Sequence, residues 1–401
     1  MTDLLAEGIE QVVSSGRCSG CGLCAQLDPR IRMVIDAAGY NRPVVGDAPA
    51  PAEDRQLADA TRFRASCPGE IVAAADVRGP LHHSLVGSAF GAWRAWATDE
   101  AIRAAGSSGG VLTALAALLI DGGAPAISAA AAPPTSRTVP IRLTTREEAM
   151  RSAGSRYAPV GNLAHPEALT APVFIGKPCE ASALRRATGA DAPLILSFFC
   201  AGVPSQQATD SLIEHLGADP ARVRSLRYRG GGWPGTFRVE DADGRIGEAS
   251  YDDSWGRWLG PTTQWRCKIC VDGVGELADV VASDLWESDA SGYPVFDDRP
   301  GVSALIARTQ RGLELVERAI AEGVLEAEPV TLAEIIAIQP LQRERRTTLF
   351  GRLLGARLTG ARVPRYPGFG LLGIALLHPL RNARGALGTV RRALRSRRRG
   401  A

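Results

Sequence analysis

Eight cysteines in two groups of four constrain this 401-residue chain more than any other feature. Cys18, Cys21 and Cys24 stand at C-x-x-C-x-x-C spacing, and Cys67 follows in Cys67-Pro68-Gly69. The second group is Cys179 in Gly176-Lys177-Pro178-Cys179, Cys200 at the end of an apolar run, and the pair in Cys267-Lys268-Ile269-Cys270. Four thiolates are what a cubane 4Fe–4S cluster takes, and a tight triple with a Cys-Pro is the bacterial ferredoxin manner of supplying them. The pattern predicts two 4Fe–4S clusters and a protein that moves electrons. Zinc favours paired C-x-x-C knuckles closing a tetrahedron, which three sulfurs on one tight loop do not offer. Disulfides need an oxidising compartment. Met1-Thr2-Asp3-Leu4-Leu5 lacks the basic and apolar regions of a secretory signal, so a cytoplasmic location is expected. For the second group spacing alone leaves the choice open, because isolated cysteines such as Cys179 and Cys200 are commonly buried small hydrophobes.

The length allows two or three domains. No run of eighteen apolar residues occurs, so no membrane span is predicted. Net charge is +3, but from Leu341 onward there are 15 arginines, no lysine and one acid, Glu344, a local balance of 15 − 1 = +14. The rest therefore carries 3 − 14 = −11, an acidic body with a basic tail. Lys177 and Lys268 are the only lysines, and both adjoin cysteines of the second group. An ammonium differs from a guanidinium in reach and hydration, so this placement links Cys179 to the Cys267–Cys270 pair, with coincidence as the alternative.

Along the chain, residues 1–80 carry the first cysteine group, one strand at 31–35 and a Pro/Ala-rich loop near 47–53. So little apolar material needs its metal to fold. From about residue 90, strands and helices alternate: strands at 92–97, 124–130, 139–143, 173–176, 193–200, 278–283 and 303–308, helices at 111–120, 205–216 and 312–322. That alternation predicts an α/β class with a mixed sheet. Asp243-Gly244 marks a hairpin turn. Ser107-Ser108-Gly109-Gly110 opens an apolar helix through Thr113, which is a good phosphate cradle; a plain N-cap is the alternative.

The ordered set Arg103, Ser107-Ser108-Gly109-Gly110, Gly154-Ser155-Arg156-Tyr157, Asn162, Gly176-Lys177-Pro178-Cys179, Phe199-Cys200, Cys267-Lys268-Ile269-Cys270-Val271-Asp272, Ala278-Asp279-Val280 and Arg308-Thr309-Gln310-Arg311-Gly312 resembles the coenzyme F420 hydrogenase/dehydrogenase β-subunit family over residues 10–340. The resemblance implies FAD in the α/β core, contacted by these residues from Arg103 to Asn162, with Thr113, Lys177 and Pro178. It implies a 4Fe–4S cluster on Cys179, Cys200, Cys267 and Cys270, and electron exchange with coenzyme F420 or another organic substrate. Members with a ferredoxin-like N-terminus include chlorophyll-pathway reductases fed by ferredoxin. Two features depart from the pattern: Cys67 must close the first group at a distance, and the arginine-rich tail is additional.

The expected organisation is a ferredoxin-like 4Fe–4S module at 1–80, a flavin-binding domain at 81–190, a C-terminal domain with the second cluster at 191–340, and a basic helical tail at 341–401. The expected activity is an FAD- and 4Fe–4S-dependent oxidoreductase linked to ferredoxin or coenzyme F420. A non-catalytic electron-transfer subunit and a metal-stabilised binding protein are the alternatives. No residue stands out as proton donor; His82, His83, His165 and His215 lie outside the motifs. In the tail, apolar residues 366–377 between arginines suit either the interface of an anionic membrane or packing on the acidic body, and nucleic acid is disfavoured for want of aromatic stacking residues.

Overall fold

The central strands are buried over consecutive residues, so the sheet has two apolar faces. The computed structural model describes residues 3–76, 79–286 and 300–399. Its strands are β1 (Ile31–Ile35), β2 (Asn41–Val45), β3 (Leu81–His83), β4 (Gly87–Ala89), β5 (Gly91–Ala97), β6 (Ala126–Ala131), β7 (Thr138–Leu143), β8 (Val173–Gly176), β9 (Leu194–Phe198), β10 (Val223–Arg227), β11 (Thr236–Asp241), β12 (Ile246–Ser250), β13 (Val280–Asp284), β14 (Ser303–Ala307) and β15 (Leu325–Pro329). Eight form one sheet in the order β15-β5-β14-β13-β9-β8-β6-β7. The four central strands β13, β9, β8 and β6 are parallel, and both flanks are antiparallel. The expected mixed α/β sheet is present.

Side chains on successive strand residues point to opposite faces. Val173, Leu196 and Val280 therefore join the helices Val111–Asp121 and Gln310–Ala321 on one side. Their neighbours Phe174, Ile195 and Val281 pack on the helix Pro178–Thr188 on the other. Strands from both sides of residue 190 share this sheet. A smaller sheet, β10-β11-β12, with its turn at Asp243-Gly244, covers the helix Gln206–His215.

Residues 3–76 hold more regular structure than the sequence advertises. Helices Leu4–Ser14 and Glu53–Ser66 and the hairpin of β1 and β2 enclose Leu5, Ile9, Val12, Phe63, Cys24 and Cys67. This unit sits against the body: Leu23 joins the core under helix Pro178–Thr188, and the Gln26 amide donates to the carbonyls of Leu163 and His165, both at 2.8 Å.

Beyond the sheet come the helices Leu332–Ala337, Pro340–Leu358, Leu371–Leu377 and Pro379–Arg399. The expected helical tail is present, and its first helix lies on the body. Helices Pro340–Leu358 and Pro379–Arg399 pass close enough that a Cβ on Gly351 would meet the Asn382 carbonyl oxygen at 2.0 Å, and one on Gly355 the Ala386 carbonyl oxygen at 2.4 Å. Among the described residues no helix is long and apolar enough to cross a membrane.

Candidate functional site

Parallel neighbours present their carboxyl ends together, which is where open α/β sheets bind ligands. Here β8 runs into Lys177-Pro178-Cys179, β9 into Phe199-Cys200 and β13 into Leu285-Trp286. A cavity of about 990 Å³ opens at that edge, lined by Lys177, Cys200, Trp286, the turn at 106–110, the loop at 152–158 and the start of helix Pro340–Leu358.

The turn at 107–110 is stitched to the fold. The Ser107 hydroxyl accepts from the Ser155 N–H at 2.5 Å, so it ties the two glycine-containing loops together. Ser108 donates to the Val302 carbonyl at 2.6 Å. Gly110 has φ +72°, and its Cβ would meet the Ile102 carbonyl oxygen at 2.7 Å. Gly109 faces away from the cavity, since a Cβ there would meet the Ala95 carbonyl oxygen at 2.5 Å and the Ser303 nitrogen at 2.9 Å. What the cavity receives is the N-terminus of the 11-residue helix Val111–Asp121, whose first N–H groups have no partner within the helix.

Of the residues expected to bind a cofactor, Ser107, Ser108, Gly110, Thr113, Gly154, Ser155, Arg156, Tyr157 and Lys177 line the cavity. Arg103, Gly109, Asn162 and Pro178 are not part of its lining. Arg103 instead donates to the Gly301 carbonyl at 2.9 Å and lies 5.1 Å over the Trp96 ring. Asn162 donates to the Ile175 carbonyl at 2.9 Å. Pro178 starts the helix that carries Cys179.

Two cations in the lining are notable. Arg156 is desolvated, which lowers its pKa, and its buried Nε has no hydrogen-bond partner among the described residues. Lys177 donates to the Val160 carbonyl and to Glu180 Oε1, each at 2.6 Å. Burial alone would lower its pKa, yet the Glu180 carboxylate and the neighbouring Cys179 hold it above its ordinary value. Aromatic surface completes the wall: Trp286 stacks on Trp233 with ring centroids 5.8 Å apart, and Arg229 lies 4.7 Å over Trp233. Arg229 is itself fixed by Asp284 at 2.6 Å.

Both cysteine groups are gathered. Burial pushes Cys24 well up, and the proximity of Cys21, Cys18 and Cys67 pushes it further. Cys21 is raised to about 11, chiefly by burial. In the second group burial raises Cys200 to about 12, with Cys267 next among the causes and Cys270 also contributing. Burial likewise raises Cys179, which feels both Cys200 and Cys21. Cys21 and Cys179 thus place the two groups side by side. Among the described residues no three His, Cys, Asp or Glu side chains close around a single metal ion, and a cubane spreads its four ligands over a larger body than one ion. Four desolvated thiols whose thiolate forms would repel one another, with arginines nearby, suit a cluster whose iron would neutralise thiolates.

Two residues outside the sequence expectations join the two groups, and a third braces the second group. Arg266, 2% exposed, donates to the Pro68 carbonyl at 2.8 Å, so the residue before Cys267 holds the residue after Cys67. Gln264 donates to the Ser19 carbonyl at 3.1 Å and to Cys267 Sγ at 3.6 Å. From the far end of the chain, Arg345 donates to the carbonyls of Cys200 at 2.9 Å and Ala201 at 2.6 Å. The same C-terminal stretch reaches the other loops: Arg346 donates to the Val271 carbonyl at 2.6 Å and Tyr366 to the Ile269 carbonyl at 2.6 Å. Backbone bonds tie residue 365 to Glu70 and Val72. The adjacency of Arg266 to Cys267 was the available signal for the first; no local pattern marks the others.

A mixed α/β sheet with a mainly apolar cavity and the loops of Cys179 and Cys200 at its carboxyl edge is a layout suited to redox chemistry. The comparisons name the family: the model of the coenzyme F420 hydrogenase/dehydrogenase β-subunit N-terminus matches residues 92–165 and that of its C-terminus residues 170–332. The chain belongs to the coenzyme F420 hydrogenase/dehydrogenase β-subunit family. It is 24% identical over 254 residues to the coenzyme F420 hydrogenase subunit beta of Methanothermobacter thermautotrophicus, covering 58% of this chain and 82% of that one. A chain of the F420-reducing NiFe hydrogenase complex from Methanosarcina barkeri shares 20% identity at a TM-score of 0.48, covering 67% of this chain and 96% of the other. Residues 3–76 and 340–399 lie outside both family matches.

Proposed function

We propose that the chain is an iron–sulfur flavoprotein oxidoreductase that exchanges electrons between a one-electron donor such as ferredoxin, or reduced coenzyme F420, and an organic substrate. In this reading Cys18, Cys21, Cys24 and Cys67 hold one 4Fe–4S cluster, Cys179, Cys200, Cys267 and Cys270 a second, and FAD occupies the cavity. Residues 1–80 form the ferredoxin-like entry module, 81–190 carry the flavin contacts and 191–340 complete the second cysteine set. The observation that carries the reading is Cys200, which belongs to a cysteine set and also lines the cavity.

Bound clusters would supply single-electron transfer and a bound flavin would pair two electrons for the substrate. The chain's own part is to position and exclude. The N–H groups starting helix Val111–Asp121 and the guanidinium of the cavity-lining Arg156 are donors for a cofactor's phosphates. Trp286, backed by Trp233, offers a flat apolar wall. Lys177, paired with Glu180 and bonded to the Val160 carbonyl, fixes the loop between Cys179 and the cavity.

The test is anaerobic analysis of purified protein. By the four-thiolate rule it should contain about eight irons with matching sulfide, and about one flavin. The flavin should bleach with reduced ferredoxin or reduced coenzyme F420. About four irons, unchanged by Cys179→Ser, would remove the second cluster. A second reading, a non-catalytic electron-transfer subunit, is favoured by the Methanothermobacter relative, which is named a hydrogenase subunit. Turnover of an organic substrate without partner proteins would exclude it.

A further inference from the structure

The C-terminal helices have two faces with different fates. The inner face of Pro379–Arg399 packs on helix Pro340–Leu358 through Asn382 and Ala386. Asn382 accepts from the Gly351 N–H and donates to the Thr347 carbonyl, both at 2.8 Å, and Asn382 and Thr389 are buried. Because Gly351 and Gly355 let the backbones touch, this helix cannot rotate about its axis without breaking the contact. The outer face is left to solvent, and it is not polar. Leu376, Leu377 and Leu380 are 71%, 79% and 73% exposed at the junction with helix Leu371–Leu377. From there Leu380, Arg384, Leu387, Arg391 and Leu394 follow at four- and three-residue steps, all exposed. Such spacing places them on one side of the helix.

We propose that this leucine–arginine face docks the protein on an anionic lipid bilayer. Leucines enter the boundary between headgroups and acyl chains, while arginines lie along them and reach the phosphates. Charge selects this occupant over others. No acid follows Glu344 in the sequence, and Glu344 already faces Arg381 at 3.5 Å. A second copy meeting this face across a two-fold axis would set arginine against arginine. The chain's own body cannot cover the leucines, because the helix meets it through the opposite side. A nucleic acid would leave the leucines without partners.

The experiment is co-sedimentation of full-length protein with vesicles of phosphatidylcholine alone or with phosphatidylglycerol. Binding should require the anionic lipid and weaken with salt. Each basic residue near such a surface is worth about 1 kcal/mol, or about fivefold, so Arg384→Gln with Arg391→Gln should weaken partitioning by about 25-fold. The triple variant Leu376→Ser, Leu377→Ser, Leu380→Ser should lose binding with an unchanged melting temperature, since all three side chains are exposed. Wild-type protein remaining in the supernatant with anionic vesicles, or a triple variant that partitions like wild type, overturns the proposal. So does a self-association abolished by the triple variant without any lipid binding. None of these readings depends on iron, flavin or turnover.

Discussion

Asp279 shows what a motif residue can be for. It is fully buried, and its carboxylate accepts from the Ile195 N–H and Arg185 at 2.8 Å and from Arg311 and Thr309 at 2.7 Å. Burial opposes its charge, but these donors win and hold its pKa below the ordinary aspartate value of 3.8. A lowered folded pKa means that the stabilisation is present above the unfolded value and is lost as pH falls through the folded one. Asp279→Asn leaves two arginines without their anion. It should cost about 3–5 kcal/mol in urea unfolding at pH 7, with the difference from wild type shrinking in acid below pH 4. The sequence flagged Asp279, Thr309 and Arg311 by their resemblance to a family pattern, yet their visible work is tying β13 to the helix Gln310–Ala321. The same holds for Arg103 and Asn162. Spacing along a chain cannot separate a residue that touches a ligand from one that fixes the loop beside it.

At the scale of elements, a helix start and a loop line the cavity where a phosphate cradle was expected, and the four residues of the turn divide the labour. Gly109 is needed where the turn meets the sheet. Gly109→Asp should therefore give aggregated or strongly destabilised protein, read by its melting temperature, before any cofactor question arises. Arg156 is the residue to alter: Arg156→Gln keeps the fold and removes a charge-assisted donor worth about 1.5–3 kcal/mol. The flavin retained per chain after gel filtration should fall, with affinity about 10- to 150-fold weaker. Seven strands of the large sheet were legible as short apolar runs; β15 was not, because Leu325-Glu326-Ala327-Glu328-Pro329 carries two acids in five residues. Helix Glu53–Ser66 was not, because only Gln56, Ala60, Phe63 and Ser66 are buried along its 14 residues. Its buried stripe is half polar, and a Pro/Ala-rich approach disguises its start.

For the whole molecule, the unexpected result is how much of the cysteine environment comes from residues beyond 340. A tail rich in arginine reads as a solvated appendage, yet Gln342, Arg345, Arg346, Arg352 and Tyr366 all donate to carbonyls in the loops that carry Cys200, Cys267 and Cys270. Composition reports charge and not where the charge lands, so these contacts were invisible. Removing everything after Gln339 deletes these donors together. The truncated chain should lose iron from the second group first, seen as about four irons remaining by the four-thiolate rule and a lower melting temperature. A truncation that keeps its full iron complement would mean these donors are dispensable. Their position along the chain also fixes an order of events during synthesis. Every cysteine has been made before residue 340 is added, while the helices that pin the cysteine loops are made afterwards. The growing chain therefore presents those loops incompletely held, and on the proposed reading that interval is when clusters would enter most easily. Docking of the last helices is then the latch that closes the cysteine loops.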